Sequence, residues 1–74
     1  YDAKSTLQEL AQSKLKQELT YKVIYEIGPE HDKEFGVEAH LGERVIGKGK
    51  GRSKKLAEQH AAYEALLKLQ NEEE

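Results

Sequence analysis

Hydrophobic positions recur with two different periods along this chain, and the switches between them predict helix, strands, then helix. From Asp2 to Gln17 the period is helical. At 100° per residue Ala3, Leu7, Leu10, Ala11 and Leu15 share an apolar arc, while Ser5, Gln8, Glu9 and Gln12 follow i, i+3, i+4, i+7 spacing on a polar arc. Asp2 is the expected N-cap, with Ser5 as the alternative. From Thr20 to Ile27 the period drops to two: Tyr21, Val23, Tyr25 and Ile27 point one way, and Lys22, Ile24 and Glu26 the other. Gly28-Pro29 breaks that strand, and a polar loop runs through Lys33. Glu34 to Leu41 alternates again, with Phe35, Val37, Ala39 and Leu41 opposed to Glu34, Gly36, Glu38 and His40. Gly42-Glu43 forms a short hairpin turn into a third strand, roughly Arg44 to Gly49. Ser53 then caps a second helix reaching about Asn71, whose core arc holds Ala57, Ala61, Ala62, Ala65, Leu66 and Leu69. The alanines predict close approach to the sheet or to the first helix.

The order is α-β-β-β-α. Short turns make the three strands an antiparallel meander. The fold class is therefore α+β: a two-layer sandwich, a three-stranded antiparallel sheet with both helices packed on one face. Seventy-four residues support one domain, 1–74, with its core at about 4–69 and an acidic tail at 70–74. A chain this short buries only about 60% of its unfolded surface, so the core must be compact. The opening Tyr1-Asp2-Ala3 reads as the edge of a linker, and Glu72-Glu73-Glu74 as a frayed acidic end.

Composition removes several chemistries. Without cysteine there is no disulfide framework, thiolate metal site or thiol nucleophile. His31, His40 and His60 lack metal-ligand spacing. No apolar run approaches the roughly 18 residues of a membrane span, and no signal peptide opens the chain, so a cytoplasmic domain without a membrane partner is expected.

The formal net charge of −2 argues against a polyanionic partner until its distribution is read. Between Gly42 and Lys55 stand six bases, Arg44, Lys48, Lys50, Arg52, Lys54 and Lys55, against the single acid Glu43. A local stripe, rather than overall pI, sets the footprint for a polyanion. The bland reading of any charge run is a solvated face. Here the run contains Gly42, Gly47, Gly49 and Gly51 and leads into a helix, which favours phosphate binding.

Three patches could carry chemistry. The first is Gly47-Lys48-Gly49-Lys50-Gly51-Arg52-Ser53-Lys54-Lys55. Helix N-termini present free N–H groups and about half a positive charge, so first-turn lysines cost stability unless an anion is near. The glycines would let the backbone approach such a ligand. The run does not match G-x-x-x-x-G-K-[ST], so a repeating phosphate backbone suits it better than a nucleotide. The second patch is Ser5, Gln8, Glu9 and Gln12. A carboxylate and two amides suit groups that both donate and accept, such as the 2′-hydroxyls and base edges of an RNA minor groove. The third is Gly28-Pro29-Glu30-His31, where Pro29 stiffens a loop with His31 near its tip. Taken singly, the last two read as solvated surface.

With these residues laid out, the chain resembles a double-stranded RNA-binding domain over about Lys4 to Leu69. The motifs are Leu7-Gln8-Glu9-Leu10, Gly28-Pro29-Glu30-His31 followed by Phe35-Gly36-Val37, and the block Gly49-Lys50-Gly51-Arg52-Ser53-Lys54-Lys55-Leu56-Ala57-Glu58-Gln59-His60-Ala61-Ala62. The opening Asp2-Ala3-Lys4-Ser5-Thr6-Leu7-Gln8-Glu9 with Gln12 is similar to the C-terminal domain of bacterial ribonuclease III. The resemblance implies that Ser5, Gln8, Glu9 and Gln12 enter one minor groove and that Pro29 and His31 enter the next. It implies that Arg52, Ser53, Lys54 and Lys55 bridge the phosphates between them. Such a domain spans about 16 bp and reads shape. Glu58 departs from the many relatives with a third lysine there, which implies fewer phosphate contacts and a module that works tethered.

The resemblance also implies that this chain is the non-catalytic substrate-binding part of a larger endoribonuclease. Magnesium is then expected only in a separate catalytic domain. The acids here are scattered, without the convergent carboxylates of a two-metal site. The alternative is a protein-interaction or dimerisation module of the same fold, which would have lost the lysine pair. Leu56, His60, Tyr63 and Leu67 form an arc opposite the alanines; it reads either as slight helix rotation or as a docking surface for the parent's catalytic domain or a second copy.

Overall fold

The computed structural model describes residues 2–72; Tyr1, Glu73 and Glu74 of the two chain ends lie outside them. The elements are α1 (Ala3–Leu10), a π-helical turn (Ala11–Leu15), β1 (Leu19–Ile27), β2 (Glu34–Leu41), β3 (Arg44–Gly51) and α2 (Lys54–Glu72). The sheet order is β1-β2-β3, antiparallel throughout. α2 lies along β3 and β2, and α1 lies against α2, so the α-β-β-β-α sandwich expected from the periods is the fold.

Asp2 caps α1: its extended backbone ends the helix, and its carboxylate accepts from the Ser5 amide. The capping role falls to Asp2 rather than Ser5, whose hydroxyl itself donates to Asp2 Oδ2 at 2.6 Å. Gln59 of α2 completes the cap. Its Oε1 accepts from the Ala3 amide at 3.0 Å and its Nε2 donates to Asp2 Oδ1 at 2.6 Å, which fixes α1 across α2. The first helix is shorter than its periodicity predicts. It widens at Ala11 and stops at Lys16, which adopts φ 55° and donates to the Ala11 carbonyl. The chain must turn there to reach the ladder, where Leu19 pairs with Leu41 and the Glu18 carbonyl accepts from Gly42. No glycine is available, so Lys16 takes a left-handed conformation costing about 1 kcal/mol.

The alternation assigned to β1 also fails halfway. The pairing slips between Val23 and Tyr25, leaving Ile24 as an extra residue. Tyr21 and Val23 face Ala39 and Val37 on the helix side. Beyond the bulge Tyr25 pairs with Gly36 and Ile27 with Glu34 on the opposite side. Tyr25 lies over Gly36, where a Cβ would fall 2.0 Å from the ring, and donates its hydroxyl to Glu34. One extra residue exchanges the faces of all that follow.

The core is small and rich in alanine. Leu7, Val37 and Ile46 are its largest wholly buried side chains, each stabilising by about 2 kcal/mol. Ala57, Ala61, Ala62 and Ala65 are buried beside them, with Leu66 and Leu69 packed at the margin. β3 presents Gly47, Gly49 and Gly51 to α2. A Cβ at Gly47 would lie 2.3 Å from the Ala61 carbonyl oxygen, and one at Gly51 would lie 2.9 Å from the Ala57 amide nitrogen. These glycines admit the helix backbone. Their close approach is to α2, not to the anion expected from the sequence. At the far end Glu72 closes α2 and takes both oxygens to Arg44 at 2.7 Å, so this acid is held rather than frayed.

Candidate nucleic-acid interface

The three patches sit on different elements, and each is held by local chemistry. On α1 and the π-helical turn that follows it, Ser5, Gln8, Glu9 and Gln12 are exposed and line a single concavity together with Lys4 and Tyr21. Helical spacing brings Lys4, Gln8 and Gln12 into one row, at i, i+4 and i+8. Lys4 was legible from that spacing but stood outside the polar set because its role needs a partner from β1. Its ammonium lies 5.3 Å from the Tyr21 ring centre and pairs with Glu58 of α2.

The loop after β1 is a compact turn. Gly28 has φ 96°, where a Cβ would meet the Asp32 carbonyl oxygen at 2.3 Å. The Pro29 carbonyl accepts from the Asp32 amide at 2.9 Å. Lys33 donates to Glu26 across the base of the loop at 2.6 Å, and this ammonium draws the Glu26 carboxyl below its ordinary value. Turn and ion pair hold Pro29 and His31 outward.

At the start of α2, Ser53 Oγ accepts from the Leu56 amide at 3.1 Å, and the Ser53 carbonyl accepts from Ala57 at 3.0 Å. The first turn carries no acid. The amides of Lys54 and Lys55 therefore face outward at a dipole that favours an anion. His31 shares a groove with Arg52, Ser53 and Lys54, while Pro29 lines the adjoining one with Lys50 and Arg52. The loop and the helix start thus form one continuous surface with Arg52 between them. Lys54 also lies 6.0 Å from the Phe35 ring centre, beside that groove. Glu58, in the second turn of α2, reaches back to Lys4, so the α1 concavity adjoins the same helix start.

The charge stripe is narrower than the sequence indicates. Arg44 is committed to Glu72 at the opposite end of α2, and Lys48 approaches Glu38 at 3.9 Å. Among the described residues Lys50, Arg52, Lys54 and Lys55 stand in no ion pair. These four free cations, not six, make the footprint. On the outward arc of α2, Leu56, Tyr63 and Leu67 are exposed by 43%, 52% and 44%, while His60 Nδ1 donates to the Lys50 carbonyl at 2.6 Å. The arc faces outward as its spacing predicts.

Comparison with known proteins identifies the family of the chain. The family described as "Double-stranded RNA binding motif" matches residues 3–69. Ribonuclease 3 of Borreliella burgdorferi is 53% identical over 70 residues, covering 95% of this chain and 29% of that protein. Ribonuclease 3 of Bacillus licheniformis is 54% identical over 69 residues, covering 93% of this chain and 28% of that protein. Among solved structures, Dicer from Pichia stipitis superposes with a TM-score of 0.73 at 33% identity, covering 89% of this chain and 32% of that one. The chain thus spans less than a third of the length of these relatives. On a match covering nearly its whole length, the chain belongs to the double-stranded RNA binding motif family.

Proposed function

We propose that this domain binds A-form RNA by shape, as the substrate-binding part of a ribonuclease III-type endoribonuclease acting in the cytoplasm. The observation that carries the reading is the set of unpaired cations Lys50, Arg52, Lys54 and Lys55 around the α2 start, contiguous with the Pro29–His31 loop. Arg52, Ser53, Lys54 and Lys55 take the phosphates across a major groove. Ser5, Gln8, Glu9 and Gln12 enter one flanking minor groove, and Pro29 and His31 the other. Because the Ser5 hydroxyl hydrogen is spent on Asp2, Ser5 serves RNA as an acceptor. A protein-interaction module of the same fold has no use for four free cations around a helix start.

Cleavage belongs to the part of the relatives that this chain does not span. Among the described residues no three acidic or histidine side chains converge to hold a metal. Among them, too, no helix is long and apolar enough to cross a membrane. Titration with a duplex of about 20 base pairs, longer than the roughly 16 the family spans, tests the proposal. Binding should favour RNA duplex over DNA duplex and single strands and weaken steeply with salt. Equal affinity for RNA and DNA duplexes would refute it.

A further inference from the structure

Tyr21 carries the one buried side-chain polar atom without a hydrogen-bond partner among the described residues, its hydroxyl. An unmet buried donor costs free energy, so it needs an explanation. Tyr21 lines the same concavity as Ser5, Gln8, Glu9 and Gln12. Lys4 covers its ring and spends its ammonium on Glu58. Burial first, then the nearby charges of Glu58 and Asp2, push the Tyr21 hydroxyl up to about 12, so it stays a donor at neutral pH and feels the Glu58 charge. Lys4 thus stands between Glu58, its ion-pair partner, and the Tyr21 ring, and the Tyr21 hydroxyl has nothing to bind.

Resting on the RNA-binding reading above, we propose that Lys4 is a further RNA-contacting residue. Glu58 holds it in the free domain, and it passes to the duplex backbone on binding while the Tyr21 hydroxyl takes over the Glu58 carboxylate. The exchange keeps Glu58 hydrogen-bonded in both states. In the free state the orphan is the Tyr21 hydroxyl; in the bound state there is none. Lys4 then adds a phosphate contact on the α1 side, where the departure at Glu58 removes one from α2. Glu58 and Tyr21 are positioning residues, since neither touches RNA in this scheme.

The test is duplex RNA affinity of the whole chain across a range of salt, for the wild type and for Lys4→Met, Tyr21→Phe and Glu58→Gln, with thermal melts alongside. Lys4→Met keeps the stem over the ring and removes the charge; it should weaken binding and flatten the salt slope by about one. Tyr21→Phe should keep the melting temperature and weaken binding roughly three- to ten-fold. In the Glu58→Gln background Tyr21→Phe should have no effect on affinity. The proposal is overturned if Lys4→Met leaves the slope unchanged while Lys55→Ala flattens it, or if Tyr21→Phe binds like wild type. A wild-type chain with no duplex affinity would overturn the RNA reading as well, which tells that failure apart from this one.

Discussion

Gly49 and Ala61 meet backbone to backbone: a Cβ built on Gly49 would stand 2.2 Å from the Ala61 amide nitrogen and 2.5 Å from the Ala57 carbonyl oxygen. Neither atom can yield without moving α2 off the sheet. Gly49→Ala should therefore cost about 3 kcal/mol and lower the melting temperature by about 15 °C. Lys50→Ala, one residue on and exposed, should change stability by less than about 0.5 kcal/mol. Calorimetric melts of the two variants check this. A Gly49→Ala protein that melts like wild type would mean that the helix does not sit where the structure puts it.

That contact also shows which features the sequence made legible. Spacing located the core alanines Ala57, Ala61, Ala62 and Ala65, the cap at Ser53 and the whole of β2, because each depends on residues near in the chain. What the glycines of β3 do was hidden, because a missing side chain reads the same whether a ligand or a helix fills the space. The β1 faces are not legible in the alternation, because a bulge at Ile24 leaves no mark on a period of two: Tyr25 and Ile27 are as apolar on the outer face as on the inner. The end of α1 was overrun because Leu15 and Gln17 continue a helical pattern that the Leu19–Leu41 pairing interrupts from outside. In the candidate interface, Arg44 and Lys48 belong to one basic stripe in the sequence, whereas in the fold Arg44 pairs with Glu72, distant in sequence, and Lys48 approaches Glu38 across the β2–β3 ladder.

The narrowing of the stripe gives a second prediction. Lys55→Ala should weaken duplex RNA binding evenly across sequences and flatten the dependence of log affinity on log salt by about one. Arg44→Ala carries the same change of charge but acts at the other end of α2, so it should leave that slope unaltered. Its exposed pair with Glu72 should cost under about 1 kcal/mol of stability. Equal slopes for the two variants would mean that net charge, rather than the position of the free cations, drives binding.

Gln8 tests the α1 side separately. Its amide is exposed on the concavity floored by Tyr21, and it can both donate and accept. Gln8→Ala should reduce affinity for an RNA duplex several-fold, with little change for a DNA duplex of the same sequence, because the lost partner is a 2′-hydroxyl or a base edge of the wide minor groove. The salt slope should stay at the wild-type value. Competition titrations with the two duplexes give the ratio directly, and an unchanged RNA-to-DNA ratio would remove Gln8 from the interface.

Asp2 links acid stability to the placement of α1. Its carboxyl is lowered from 3.8 to about 2, first by the Ser5 hydroxyl, then by the Gln59 amide and the Ser5 backbone amide. A carboxyl depressed on folding stabilises above its unfolded value, and that contribution disappears as pH falls through the folded one. The contribution of Asp2 should therefore be complete above about pH 5 and fall away as pH drops through about 2. The Lys33 ammonium also draws the Glu26 carboxyl down, so acid acts on more than one group, and the informative quantity is the gap between wild type and Asp2→Asn. At neutral pH the variant should melt lower, since asparagine keeps the shape of the cap but not its charge. Through that acid window the two melting temperatures should converge. A gap that stays constant down to about pH 2 would mean that the ionised carboxylate contributes nothing to the joint between Ser5 on α1 and Gln59 on α2.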